Sequence, residues 1–358
     1  MPRPTIAHIR LDAFRHNYRV AKQLHGGRAL AVIKANAYGH GALACAQAIQ
    51  AEADAFAVAS LEEALQLRQA AIKNPILLLE GFFEAAELPD IVANDLWIVI
   101  HAQWQLEILL ATKLAKPLHI WLKLDSGMHR LGFSADAYQQ ACEKLTGHAN
   151  VASIVHMTHF ANADALSDLH TNQQIKLFEQ TVERLAVHEA SLANSAAILA
   201  WPQSYRHWSR PGIMLYGANP IADNAVKLRS VMELSSSIIS IRTIQAGESI
   251  GYGSIFTAPK TTIVGVVACG YADGYPRSTV GAPVTVAGHI TKQIGRVSMD
   301  MLYVDLTDIP NATIGSTVEL WGDIISANEV AKAADTIAYE LFCNVKRVPF
   351  KYSDSESL

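Results

Sequence analysis

Lys34 closes an apolar run, Leu30 to Ile33, and opens a polar stretch carrying Asn36, Tyr38, Gly39, His40 and Gly41. The run has the composition of a buried strand. The residues after it are turn formers, and a small-residue helical stretch follows from Ala42 to Gln50. A lysine at the carboxyl end of a buried strand stands where α/β enzymes place their chemistry. Partial desolvation makes its amine easier to deprotonate, which suits a nucleophile that forms an imine. The same position also suits a lysine whose head reaches water over an apolar stem.

Other reactive side chains fall at similar junctions. Trp121, Lys123 and Asp125 alternate onto one face of an apolar run that starts at Leu118. A lysine within such a strand requires a charged partner or a modification, and Asp125 is the nearest carboxylate in sequence. Arg130 follows in Gly127-Met-His-Arg-Leu-Gly132, and His159 follows the run Ser153 to Phe160 in Thr158-His-Phe-Ala-Asn-Ala-Asp164. Asn194-Ser195 precedes a helical stretch, where a hydroxyl and open N–H groups suit a phosphate or simply cap the helix. Arg210-Pro-Gly-Ile213 opens the region of an eighth strand. Gly212 there permits close approach of backbone to an anion, and barrels bind phosphate near strands seven and eight. Towards the carboxyl end Tyr252 lies between two glycines, and Cys269-Gly-Tyr-Ala-Asp-Gly-Tyr-Pro-Arg277 and Gly295-Arg-Val-Ser-Met-Asp-Met301 are turn-rich segments with polar residues.

These groups need a scaffold. Strand-like runs at Leu30–Lys34, Ala55–Ser60, Ile76–Glu80, Leu96–Ala102, Leu118–Leu124, Ser153–Phe160, Ser191–Asn194 and Ile213–Tyr216 alternate with helical patterns at Leu61–Ala71, Glu84–Ala93, Gln105–Lys113, Ala135–Leu145 and Asn172–Glu189. Such alternation means parallel strands covered by helices. Eight units fit a (β/α)8 barrel better than an open doubly wound sheet. The barrel is expected over 12–228 and a mostly β carboxyl-terminal domain over 229–358, where Val, Ile, Ser and Thr runs are separated by Gly and Pro turns. The strand-like stretch within 1–11 is expected to pair with that second domain.

The chain of 358 residues is half hydrophobic and 17% charged, which supplies a large core and argues against disorder. A formal net charge of −4 gives no basic footprint for nucleic acid, and the apolar runs are too short and interrupted to span a membrane. The amino terminus lacks the apolar stretch of a signal peptide, so a cytoplasmic location is expected. Cys45, Cys142, Cys269 and Cys343 lie far apart, form no metal-type pair and are expected to be reduced; no metal is expected.

The lysine segment, the Gly-Met-His-Arg-Leu-Gly segment, the Tyr-Ala-Asp-Gly-Tyr segment and the Ser-Met-Asp segment together resemble the alanine racemases, pyridoxal-phosphate enzymes of fold type III. The resemblance runs from Ile6 to about Pro349. It implies that Lys34 binds pyridoxal 5'-phosphate covalently, that Tyr38, Asn194, Ser195, Gly212 and Ile213 surround the phosphate, and that His159 packs on the pyridine ring. It implies that Arg130 bonds the phenolic oxygen and helps position the substrate carboxylate. Lys123 matches a position often carbamylated, which would turn a cation into an anion able to orient Arg130.

By the same resemblance Arg210 faces the pyridine nitrogen. Arginine donates a hydrogen bond but keeps its proton, so racemisation is favoured over transamination. Tyr252 corresponds to a second catalytic base from a partner subunit; a phenol needs a nearby cation to act as a base, and Arg210 and His159 are the expected electrostatic neighbours on chemical grounds. Tyr271, Met299 and Asp300 border the substrate entrance, also from the partner. The implied activity is interconversion of L- and D-alanine by two-base proton transfer at Cα of the cofactor aldimine, in a homodimer with shared sites. Lys346 stands just before Arg347-Val-Pro, where many members place a phosphate-binding tyrosine.

Overall fold

The computed structural model describes residues 3–185, 189–222 and 224–354. The chain begins with strand β1 (Ile6–Arg10) and an amphipathic helix, Leu11–His25, that buries Phe14, Tyr18 and Ala21. Eight parallel strands then close into a barrel in sequence order: β2 (Arg28–Val32), β3 (Ala55–Val58), β4 (Ile76–Leu78), β5 (Leu96–Ile100), β6 (Leu118–Lys123), β7 (Val151–Met157), β8 (Glu189–Asn194) and β9 (Trp208–Arg210). β2 pairs with β9 through Arg28↔Trp208 and Ala29↔Ser209, which closes the ring. Strands such as β3, Ala-Phe-Ala-Val, are buried along their whole length, as expected where helices cover a parallel sheet.

The eighth strand is not the expected Ile213–Tyr216, which forms a buried 3-10 turn; Trp208–Arg210 takes its place. Pro211 has no N–H for a ladder, and Gly212 turns the chain with φ −119 and ψ −97, so the apolar run after it folds back over the barrel end. The helical stretch expected over Asn172–Glu189 spans His170–Val182. Residues 186–188 of that stretch lie outside the described ones, and Glu189 already belongs to β8.

The second unit is built on β10 (Met232–Ile244). A short hairpin, β11 (Ser249–Ile250) with β12 (Phe256–Thr257), follows, then β13 (Thr262–Val267), β14 (Pro283–Val286), β15 (His289–Ile294), β16 (Leu302–Asp305), β17 (Thr317–Trp321) and β18 (Phe350–Ser353). The long β10 pairs with β17 through its first half and with β13 through its second, with a register shift between Ile238 and Ser240. Six strands, β10-β13-β16-β15-β14-β17, thereby close on themselves. β1 lies between β10 and β18 in this sheet, antiparallel to the first and parallel to the second. Two helices, Ala327–Ala333 and Ala338–Asn344, return to the barrel mouth.

The segment after β2 decides where Lys34 sits. Ala35, Asn36, Ala37 and Tyr38 all have φ between 51 and 53, a full turn of left-handed helix. That conformation costs L-residues about 1–2 kcal/mol each, so surrounding bonds must hold it. Ala37 N–H donates to Ile33 O at 2.9 Å, Gly39 N–H to Ala35 O at 3.0 Å, and Gly41 N–H to Asn36 O at 2.9 Å. Glu63 accepts from Ala35 N–H at 2.6 Å. Gly39, at φ +80, lies so close to the Ala338–Asn344 helix that a Cβ there would meet Phe342 O at 2.1 Å.

Candidate active site

A cavity of about 1220 Å³ opens at the carboxyl ends of the barrel strands. Ten residues singled out from the sequence line it together: Lys34, Tyr38, Lys123, Arg130, His159, Asn194, Ser195, Arg210, Gly212 and Ile213. They come from the ends of β2, β6, β7, β8 and β9, so only barrel closure could assemble them.

One end of the cavity is a polar cradle. Tyr38 stacks on Tyr216 with ring centroids 4.7 Å apart. Burial pushes its pKa up, so its hydroxyl stays protonated and can donate. Ser195 Oγ accepts from Gly212 N–H at 2.8 Å and Met214 N–H at 3.4 Å, which leaves its own proton to donate. A Cβ on Gly212 would sit 2.8 Å from the Tyr38 hydroxyl and 3.8 Å from Ser195 Oγ. The missing side chain thus leaves a space ringed by donors. Asn194 accepts from Ala197 N–H at 3.1 Å, so it caps the short helix Ser195–Ala200. Both readings of the Asn194-Ser195 pair apply, one to each residue.

The lining also carries several basic side chains. Asp125 accepts from Gly127 N–H and His129 N–H, both at 3.0 Å, and pairs with the His129 ring. It holds its own loop and forms no ion pair with Lys123 among the described residues. Burial, followed by the nearby Arg210, Arg130 and Lys34, pushes the Lys123 pKa down to about 8. Arg210 is almost fully buried, and burial pushes its pKa down to about 9. Its Nη1 donates to Ser191 O at 2.8 Å and Ser191 Oγ at 2.5 Å, and its Nη2 to Thr158 O at 2.6 Å and Leu192 O at 3.2 Å. These acceptors favour the cation, so Arg210 keeps its charge at neutral pH. His159 lies 3.4 Å from Arg210 Nη2. Burial and then the cations Arg210, Lys123, Arg130 and Lys34 push its pKa well below the usual value. Both causes favour a neutral ring for His159. With Lys332 the lining carries five basic side chains against three carboxylates, Glu80, Asp164 and Asp335, an excess of positive charge that suits an anionic guest.

Tyr252, Tyr271, Met299 and Asp300 are absent from the cavity lining. They lie on loops of the second unit, with Tyr252 69% and Met299 52% exposed. Tyr271 N–H donates to Ser298 O and Ala272 N–H to Met299 O, both at 3.0 Å, so three of these four residues form one surface feature.

Residues 9–220 match the model of the alanine racemase N-terminal domain, and residues 231–352 that of the alanine racemase C-terminal domain. The chain belongs to the alanine racemase family. By that membership it is an enzyme, an amino-acid racemase. It is 57% identical to a catabolic alanine racemase of Pseudomonas putida, over 98% of this chain and 99% of that one. The crystal structure of the biosynthetic alanine racemase from Pseudomonas aeruginosa superposes with a TM-score of 0.95 at 46% identity, covering 98% of this chain and 99% of that one. An alanine racemase from Bartonella henselae that carries covalently bound pyridoxal phosphate has a TM-score of 0.90 at 31% identity, over 98% and 100% of the two chains.

Against the alanine racemase pattern, Lys346 does not line the cavity. Its N–H donates to Asp273 O at 3.0 Å, while Tyr339 and Cys343 of the Ala338–Asn344 helix face the cavity instead. Tyr339 lies 5.8 Å from Tyr38, ring to ring. Gln174 also went unread. It donates to Ser126 Oγ at 3.2 Å and His159 O at 3.1 Å and accepts from Ala161 N–H at 3.0 Å, tying the loops after β6 and β7. Its signal is a polar side chain on the buried face of a helix that also buries Ile175 and Phe178.

Proposed function

We propose that the protein interconverts L- and D-alanine with pyridoxal 5'-phosphate as cofactor, in a homodimer whose active sites are shared between chains. The observation that carries this reading is a lysine amine and a cradle of hydrogen-bond donors in one cavity whose lining holds more basic side chains than carboxylates. The donor set fits the cofactor: Tyr38, Ser195 and the backbone at Gly212–Ile213 would hold the phosphate beside Asn194, Lys34 would form the covalent bond, and Arg210 would face the ring nitrogen. Bound there, pyridoxal phosphate draws electrons from Cα of an attached amino acid and makes its proton removable.

Racemisation takes the proton from one side of the tetrahedral Cα and returns one to the opposite side. Lys34 would serve one face and Tyr252 of a second chain the opposite face. Arg130 would orient the substrate carboxylate. Neutral His159 would pack against the ring without adding a charge. Arg210, held protonated, would offer the ring nitrogen a hydrogen bond without a proton, which would limit charge spread into the ring and so disfavour side reactions. Tyr271, Met299 and Asp300 would border the pocket from the second chain and favour a small side chain.

Exposed apolar residues support the pairing. Phe83, Leu166 and Leu169, in loops on the barrel mouth, are 58%, 53% and 69% exposed, and Tyr252 and Met299 stand out on the second unit. A two-fold dimer covers both patches at once. No helix among the described residues is long and apolar enough to cross a membrane. Four free cysteines, three of them buried, suit a reducing cytoplasm.

The direct test is an assay of purified protein. D-alanine should form from L-alanine, a visible absorption band should accompany activity, and borohydride should bleach the band and tag Lys34 alone. A colourless, inactive protein after incubation with pyridoxal phosphate would refute the reading.

Lys123 carries a separate prediction. A buried amine with a pKa near 8, surrounded by cations, is partly unprotonated at neutral pH. Its nitrogen can attack carbon dioxide, forming an N–C bond and releasing one proton, and the resulting carbamate would neutralise the cluster and orient Arg130. Labelled bicarbonate should give a carbamate carbon signal in NMR that is missing in Lys123→Ala, and it should strengthen as pH rises toward 8. Removing carbon dioxide should lower activity about tenfold, the scale of one charged hydrogen bond. An unlabelled Lys123 in fully active enzyme would exclude the modification.

A further inference from the structure

We propose that Arg3 is a positioning residue for the active site of the neighbouring chain: its guanidinium locks together the two loops that present Tyr271, Met299 and Asp300. The inference rests on the shared-site reading above.

Arg3 lies just before β1. Its Nη1 pairs with Asp273 Oδ1 and its Nη2 donates to Asp273 Oδ2 at 2.6 Å, a two-pronged bond. The same Nη2 donates to the backbone oxygen of Asp300 at 2.7 Å. Asp273 is fully buried, and its Oδ2 accepts from Gly270 N–H at 2.9 Å, which caps the turn carrying Tyr271. That turn is bonded to Ser298 and Met299 as described. One guanidinium therefore touches both loops, and among the described residues it is the one cation paired with Asp273.

The chemistry asks for arginine. A planar fork can bind a carboxylate with two prongs and still reach a third acceptor, whereas an ammonium acts as a point charge. Without it, Asp273 becomes a buried, uncompensated carboxylate, and the Asp300 carbonyl loses its donor. Thr5 fixes the approach of this segment, since its hydroxyl donates to Ala268 O and lies 3.1 Å from Ser236 Oγ. The sequence flags Asp273 within its motif but gives it no task; this contact supplies one.

A positioning role acting across the dimer has a signature that general destabilisation lacks. Two differently tagged chains, one Lys34→Ala and the other Tyr252→Phe, are co-expressed and the mixed dimer is purified with cofactor. One site then has Lys34 from the second chain and Tyr252 from the first, and activity should return to about half the native level. Arg3→Ala is then added to one chain or the other. On the Lys34→Ala chain, which lends its Tyr252 and Met299 loops to the live site, KM for alanine should rise about tenfold, from loss of charged hydrogen bonds, with a smaller change in kcat. On the Tyr252→Phe chain the kinetics should stay as in the parent. Equal effects in the two placements, no effect in either, or the reverse order would overturn the role of Arg3 while leaving the shared site intact. A parent mixed dimer without activity would overturn the shared-site reading and this inference with it. Should the Arg3→Ala chain fail to assemble, Arg3→Lys is run through the same two placements, with the same asymmetry expected in weaker form.

Discussion

Lys34→Ala is expected to lose racemisation by at least about 10⁴-fold, the upper range for a positioned proton-transfer group, and to lose covalent retention of the cofactor as well. Two other lysines line the cavity: Lys332, on the Ala327–Ala333 helix of the second unit, and Lys123, which is buried on β6 and hemmed in by Arg210 and Arg130. Lys123 is also fixed to a rigid strand, whereas Lys34 heads a turn at the strand mouth. The variant should still bind pyridoxal phosphate through the cradle at Tyr38, Ser195 and Gly212, but the cofactor should wash out on dialysis and borohydride should tag no lysine. Racemisation above a tenth of the native rate would remove Lys34 from the mechanism.

The second large effect belongs to Tyr252. Tyr252→Phe should slow racemisation about 10²- to 10⁴-fold yet leave half of the chemistry intact. In deuterated water, one enantiomer of alanine should continue to exchange its Cα proton through Lys34 without inverting, while the other should exchange hardly at all. A one-base mechanism would instead slow both enantiomers equally. The phenol needs a nearby cation to act as a base, since it ordinarily titrates near pH 10. Arg210 can supply that charge in the assembled site. On its own chain, the Arg296 guanidinium lies within 3.5 Å of where a Cβ on Gly253 would sit, one residue from Tyr252.

Much of this site was legible because the chemistry sits at the ends of apolar runs, and apolar runs are what burial selects. β3, β4 and β5 are continuous hydrophobic stretches, so the strand and the polar residue after it can be read together. β9 is Trp-Ser-Arg, three residues with two polar side chains that are buried because the barrel closes around them. Nothing local marks it, and the more apolar Ile213–Tyr216 beside it gave the false strand. The left-handed turn was invisible for a different reason. Of Ala35, Asn36, Ala37 and Tyr38, only asparagine favours that region; the rest are held there by the backbone bonds and the Glu63 contact described above, and by packing of the turn on Tyr216, Tyr339 and Phe342. Gln174 and Arg3 act through bonds to distant loops, and single-sequence periodicity carries no such information.

The contacts that force the turn have a consequence for biosynthesis. Gly39 packs on the carbonyl of Phe342, a Cβ on Gly41 would meet the Tyr352 hydroxyl at 2.2 Å, and the His40 ring lies edge-on to Phe342 at 4.8 Å. All eight strands of the barrel emerge from the ribosome before any of these residues is translated. A nascent chain can therefore complete its barrel while the turn that carries Lys34 still lacks its packing against Phe342 and Tyr352, and the finished setting of that lysine arrives only when this later segment has been made.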